Sequence, residues 1–279
     1  MLSALASALS YEFFQRALLV SLILGIICSL ASFFVVTKQL AFIGSGIAHS
    51  AFGGIALGLV AGINPTLTGG LFAVFAAAVS GWLSQKGHIH EDTAIGILFS
   101  ASMALGIALL GFYHGYVDVF GYLFGNILAV SKTDLYLVVA VATLAVSFFA
   151  LFFRYLLAWC FDPEQAEACG LPSRFLHFSL LIVLAICVIV AVKIAGIILA
   201  SALLVLPAAT GRQLAPTYQK MILYSVLAGV GANLIGLWLS FAFNLASGAS
   251  MVLAGSAGFA LSLVWSHTRS QRSSAGDKL

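Results

Sequence analysis

The sequence predicts an all-α polytopic membrane protein with eight to nine transmembrane helices and one short helix on the inner face. Two observations carry that prediction. Of the 279 residues, 62% are hydrophobic and 8% charged, against about 25% charged in a soluble domain. The apolar residues also gather into runs of about 20, the length a helix needs to cross a hydrocarbon core of roughly 30 Å. Residues 1–266 read as a single transmembrane domain, and 267–279 as a short cytoplasmic tail with both charge signs.

The runs lie at 17–36, 41–62, 66–84, 93–112, 135–157, 175–192, 194–211, 220–243 and 249–266. The last two come from one uncharged stretch too long for a single crossing, and the turn formers of Asn244-Leu-Ala-Ser-Gly248 divide it. Pro207 interrupts the seventh near its end and makes it a candidate for a broken helix. Basic residues set the orientation. With nine crossings and the N-terminus outside, the inner side holds Lys38, Lys86, Arg154, Arg174, Arg212, Lys220, Arg269, Arg272 and Lys278. Arg16, Lys132 and Lys193 fall outside. Nine of the 12 basic residues are then inside, so the expected arrangement is N-terminus outside and C-terminus cytoplasmic.

The second run, within residues 39–62, has no formal charge and two further marks. Gly46, Ser50, Gly54, Gly58 and Gly62 recur every fourth residue, a small-residue stripe that lets another helix approach closely. Beside it stand Ser45, His49 and Gly53. An imidazole is costly in lipid, so His49 is expected to face the bundle interior or a wet path as a potential metal ligand. The alternative is a packed histidine bonded to a backbone carbonyl nearby.

The other titratable groups carry less. His88, His90, Glu91 and Asp92 form a candidate cytoplasmic exit cluster, with a solvated loop as the alternative. His114 and Asp118 stand near the outer mouth, His177 begins a span as an interface anchor, and His267 belongs to the tail. Cys28 and Cys187 read as small buried side chains, and Cys160 and Cys169 complete a set with no CxxC pair.

Two connections stand out. The outer segment 113–134 is too long for a turn, and its apolar middle, 119–130, suggests an interfacial or re-entrant helix. The inner segment 161–172 begins with Asp162 as N-cap, Pro163 at the first helical position and Glu164 in the first turn, and ends at Gly170 and Pro172. Such a capped cytoplasmic helix serves either to dock a partner or simply to connect two spans.

Several chemistries are excluded. There is no GxxxxGK[ST] phosphate loop, no HExxH and no GxSxG. The predicted spans hold no carboxylate for a proton relay. No basic run points to nucleic acid. Uphill movement of a solute would then draw on another subunit.

The motifs Phe34-Val-Val-Thr-Lys-Gln-Leu-Ala-Phe-Ile-Gly44, Ala48-His49-Ser-Ala-Phe-Gly-Gly54, Asp92-Thr-Ala-Ile-Gly96 and Gly121-Tyr-Leu-Phe-Gly125 come in that order, followed by the stretch from Lys193 to Thr210 that contains Leu206-Pro-Ala-Ala-Thr210. In these the chain resembles, from about residue 13 to 265, the membrane permease subunits of bacterial ABC importers for zinc, manganese and iron, the ABC-3 family. The resemblance implies a type II importer-like permease in a bacterial inner membrane. It implies two permease copies around the pathway, two cytosolic ATPase subunits below, and a periplasmic or surface metal-binding protein above. The cargo is a divalent metal, zinc first and manganese or iron next, with no permanent cofactor and no enzymatic activity on this chain. An iron-chelate or cobalamin importer and a self-sufficient channel are the alternatives. The resemblance also makes 161–172 the coupling helix, with Asp162, Glu164, Ala166 and Gly170 matching the family pattern. Many members carry Gly-Asp-x-x-x-His in the second span. Here Ser45 stands at the aspartate position and His49 at the histidine, so the metal path keeps its imidazole but a hydroxyl replaces the carboxylate.

Overall fold

The computed structural model describes residues 11–113, 125 and 127–276. Their regular structure is entirely helical: α1 Glu12–Thr37, α2 Ile43–Ala61, α3 Pro65–Gly87, α4 Glu91–Leu110, a 3-10 turn Ile127–Ala129, α5 Lys132–Phe161, α6 Pro163–Ala168, α7 Ser173–Leu203, α8 Leu206–Leu214, α9 Tyr218–Phe243 and α10 Ser247–Gly276.

Local chemistry sets the boundaries. Asn64 accepts from the Thr66 and Leu67 amides at 3.0 and 3.4 Å, with Pro65 opening α3 behind it. Ser131 and Asp134 form a reciprocal capping box at the start of α5. Gly62 closes α2 and Asn244 closes α9, each in the left-handed region with φ of 69° and 52°. The turn expected at Asn244 is therefore present.

Eight segments are long and apolar enough to cross a membrane. The sixth, Ser173–Leu214, has 42 residues; as one straight helix it would measure about 63 Å, twice the hydrocarbon thickness. It is not straight. Gly196 sits at φ 85° and ψ 167°, a backbone region open essentially only to glycine. Just before it, Lys193 pairs with Asp134 at the start of α5, Nζ to Oδ1 2.8 Å. Beyond it, Arg212 lines a hollow with Thr37, Gln39, Cys160 and Tyr218, at the opposite end of α1 and α5. The chain thus reaches one end of the bundle, reverses at Gly196, and returns. Counted with this reversal, the eight apolar segments of the described residues form nine limbs, matching the nine apolar runs, with the sixth boundary at Gly196 rather than beside Lys193.

The returning limb is broken again at Leu204–Val205 ahead of Pro207, which matches the interruption expected there. A helix start within a membrane leaves amides that lipid cannot satisfy. Ser32 of α1 meets this need by accepting from the Ala208 amide at 3.0 Å. The nearby Asn233 of α9 donates to the Ser21 carbonyl at 2.9 Å, also on α1.

Helices α1, α2 and α7 form the centre. Of their most apolar stretches 67%, 72% and 72% are buried, the last stretch lying within Ser173–Leu214, against 22% for α4 and α5. Leu24, Ile27 and Phe34 of α1 meet Leu180, Leu184 and Val188 of α7 in one core, and Phe34 stacks on Phe149 of α5 with centroids 5.2 Å apart. Lipid tails are as apolar as these side chains, so close packing holds this centre together.

The glycine stripe of α2 is tight but does not serve one partner. A Cβ at Gly54 would fall 2.7 Å from the Thr68 carbonyl oxygen and 2.9 Å from Gly69 Cα, and one at Gly58 3.0 Å from Pro65 Cα, all on α3. At Gly46 it would strike Ile95, and at Gly53 it would lie 2.7 Å from the Ser102 carbonyl oxygen, both on α4. The reason is geometric. Four residues turn a helix by about 400°, so each step overshoots by about 40°, and two steps, from Gly46 to Gly54, carry the stripe from α4 round to α3. Ser50 is buried between the two. Gly62 packs against nothing within 4 Å and serves as the C-cap.

Of the expected outer helix at 119–130, most lies outside the described residues, as do His114 and Asp118. The described part is compact. Gly125, at φ 60°, leaves no room for a Cβ against the Ala195–Gly196 backbone, and the Ile127 amide donates to Ser247 Oγ at 3.4 Å.

Candidate functional site

Between residues 43 and 56 of α2, every side chain is buried except two, Ser45 and His49. One helical turn apart, they open on the same face. His49 Nδ1 lies 2.8 Å from the Ser45 carbonyl oxygen and 3.4 Å from Ser45 Oγ. A carbonyl can only accept, so this bond places the ring hydrogen on Nδ1. Nε2 then keeps its lone pair, which leaves it able to bind a metal. Phe99 of α4 braces the ring edge to face at 4.9 Å. The carbonyl bond anticipated as the packed alternative is therefore present, yet the ring it orients is only partly buried. Among the described residues no three His, Cys, Asp or Glu side chains converge. One chain offers an imidazole and a hydroxyl, a set that suits passage of a cation better than storage.

Helix α6 is built as its sequence reads. Asp162 accepts from the Gln165 amide at 2.9 Å, and Pro163 opens the helix. Gly170 closes the segment at φ 82°, with the Leu171 amide donating to the Ala166 carbonyl at 3.0 Å. Asp162, Glu164 and Gly170 are exposed, whereas Ala166 is buried against the bundle. Three of the four expected coupling residues are thus presented outward, and the fourth seats the helix.

The candidate exit cluster does not assemble. His88 is the left-handed residue ending α3, and His90 precedes α4 as its N-cap. Asp92 Oδ1 accepts from the Phe42 amide at 3.4 Å, at the start of α2. Glu91 turns inward, with Oε1 3.3 Å from His177 Nδ1. The four sit on a helix–turn–helix, and such a turn splays neighbouring side chains to different partners.

His177 is likewise no interface anchor. It is 5% exposed, and its ring meets Trp159 of α5 edge to face at 5.7 Å. Lys38 Nζ sits 3.6 Å above the Trp159 ring. Burial is the main influence on the Lys38 ammonium and lowers its pKa, with Cys160 and Glu91 acting in the opposite sense. Trp159 and Lys38 were not singled out from the sequence. The one available signal was a lysine within the Phe34–Gly44 motif just past the end of a span. The cysteines are all free; Cys28, Cys160 and Cys187 are buried, and Cys169 is exposed.

The sequence model of the ABC 3 transport family matches residues 10–266. The chain belongs to that family. A manganese transport system membrane protein, MntC of Listeria innocua, is 39% identical over 249 residues, covering 89% of each chain. A probable iron transport system membrane protein of Haemophilus influenzae is 34% identical over 266 residues, 95% of this chain and 98% of its own. Among solved structures, PsaBC from Streptococcus pneumoniae in complex with Fab superposes with a TM-score of 0.82 at 33% identity, covering 94% of this chain and 95% of that one. This family member is a multi-pass membrane protein.

Proposed function

We propose that the chain is the membrane permease of an ATP-driven importer of a divalent transition metal, with manganese the first cargo and iron the second. The observation that carries the reading is the half-open Ser45–His49 pair on an otherwise buried α2. A second permease copy would cover this face and bring its own pair, doubling the donors along the path. Zinc, placed first from the sequence, falls behind, because the relatives above are named for manganese and iron. The donors agree with that order: hydroxyl oxygen and a single imidazole, without thiolate, suit manganese better than a soft-ligand site would.

The cytosolic partners in this reading are two ATPase subunits seated under α6, with Glu164 and Asp162 facing them. A metal-binding protein delivers cargo at the end marked by the Lys193–Asp134 pair. In this reading an odd number of crossings keeps the two ends on opposite sides, and the basic-residue bias favours the N-terminal end of α1 outside and the end of α10 in the cytoplasm. ATP hydrolysis belongs to the partner chains, and the metal is cargo rather than cofactor.

The test is cellular metal content by elemental mass spectrometry, in a strain stripped of its own manganese and iron importers. The chain is co-expressed with its ATPase and delivery protein, as wild type and as His49→Ala. Manganese accumulation with the wild type and its loss in His49→Ala is the expected result. Accumulation with both would remove His49 from the path. Accumulation with neither would refute the importer reading.

A further inference from the structure

Four side chains far apart in sequence meet at the inner end of the bundle, immediately beside α6. Lys38 follows α1 and lies 3.6 Å above the Trp159 ring. Trp159, in the last turn of α5, meets the His177 ring at 5.7 Å. His177, near the start of α7, faces Glu91 Oε1 at 3.3 Å through Nδ1. Glu91 is the first residue of α4. On its far side His177 Nε2 has no hydrogen-bond partner and abuts α3, where a Cβ on Gly81 would lie 2.8 Å away. The ends of α1, α4, α5 and α7 therefore share one polar junction, buried at Trp159 and His177 and partly buried at Lys38 and Glu91, with Gly81 of α3 packed against it.

The junction has α6 between its two middle members. Trp159 lies three residues before Asp162, the N-cap of α6, and His177 lies a short way beyond Gly170, where α6 ends. The flanking turns are closed by hydrogen bonds, Asp162 Oδ1 to the Gln165 amide and the Leu171 amide to the Ala166 carbonyl. With both connections this short and tied, displacing α6 displaces Trp159 or His177. The far end of the junction leads to the metal face. Glu91 and Phe99 are on the same helix eight residues apart, about 12 Å along its axis, and Phe99 is the ring that braces His49 at 4.9 Å. A second tie, Asp92 Oδ1 to the Phe42 amide, joins the same end of α4 to the start of α2. Buried polar junctions of this kind are stiff, since breaking one contact leaves a desolvated group unpaired.

We propose that Lys38, Trp159, His177 and Glu91 are positioning residues that transmit movement of α6 to α4, and through Phe99 to the orientation of His49. The proposal rests on the importer reading, and it concerns how ATP hydrolysis is linked to passage of the metal.

The experiment uses the complete complex of permease, ATPase and delivery protein in proteoliposomes, and reads manganese transported per ATP hydrolysed. His177→Phe keeps a ring against Trp159 but removes the contact with Glu91; Glu91→Gln keeps the shape and removes the charge. In both, ATP hydrolysis is expected to continue while manganese per ATP falls about fivefold or more, the scale of coupling between linked sites. His177→Gln, which restores a donor toward Glu91, recovers part of the ratio. The double variant His177→Phe/Glu91→Gln is no worse than either single one, as expected of one shared pathway. A junction that only holds the fold would lower the yield of complex and leave the ratio unchanged, and that result in Glu91→Gln overturns the proposal. A wild-type complex that shows no ATP-driven uptake would overturn the importer reading, and the relay with it.

Discussion

The packing of α2 against α3 makes a sharp prediction for Gly54→Ala. The added methyl would lie 2.7 Å from the Thr68 carbonyl oxygen and 2.9 Å from Gly69 Cα, with Phe72 closer still. Ordinary contact begins at 3.4 Å. The helices must therefore part by about 0.7 Å at Thr68 (3.4 minus 2.7) and 0.5 Å at Gly69 (3.4 minus 2.9), and backbone atoms cannot rotate away. Overpacking of this size costs roughly 1–3 kcal/mol, a fall of roughly 2–12 °C in Tm for a domain of about this size. Gly96 and Gly231 are the controls. Both are helical, and a Cβ at either meets nothing within 4 Å. There alanine should be neutral or stabilising by up to about 1 kcal/mol, through helix propensity alone. The assay is thermal unfolding of the three purified variants in detergent, followed by uptake. A Tm for Gly54→Ala equal to or above those of Gly96→Ala and Gly231→Ala would refute the close-packing argument.

Other consequences can be checked as directly. Gly196→Ala forces a side chain into a glycine-only backbone region, at a cost on the order of 1–3 kcal/mol, at the point where the sixth segment reverses; folded yield by size-exclusion chromatography should fall, and an unchanged monodisperse peak would argue against the reversal. Cys169 is the one exposed cysteine, so a membrane-impermeant maleimide should label it in inside-out vesicles and leave intact cells unlabelled. Labelling in intact cells would invert the orientation. Glu164→Lys leaves the α6 fold intact because Glu164 is exposed and Asp162 provides the cap; transport-linked ATP hydrolysis should drop severalfold with membrane insertion retained, and full activity would remove α6 from the coupling role.

The crossings are legible because lipid imposes a simple rule: about 20 apolar residues per helix, with charges kept for the ends. His49 was legible for the same reason, as an ionisable side chain in an uncharged run. The structure adds that it and Ser45 are the only unburied residues from 43 to 56. The reversal at Gly196 was harder to locate. Lys193 marks it to within three residues, but one glycine among apolar neighbours does not announce a positive φ. The glycine stripe was visible as a stripe, yet its drift about the helix axis, which divides it between α3 and α4, shows only in three dimensions. The junction beside α6 was hidden most completely. Residues 38, 91, 159 and 177 belong to four different helix ends, and no local pattern links them. Glu91 therefore read as part of a loop cluster with its sequence neighbours, although its partner is His177.

The most direct test of the central claim is uptake of radioactive manganese into proteoliposomes holding the purified permease with its ATPase and delivery protein. The account predicts ATP-dependent accumulation that is largely lost in His49→Ala, while Ser45→Asp, which adds a carboxylate one turn before the imidazole, retains it. ATP-dependent uptake undiminished in His49→Ala would contradict the claim that the metal passes along this face of α2.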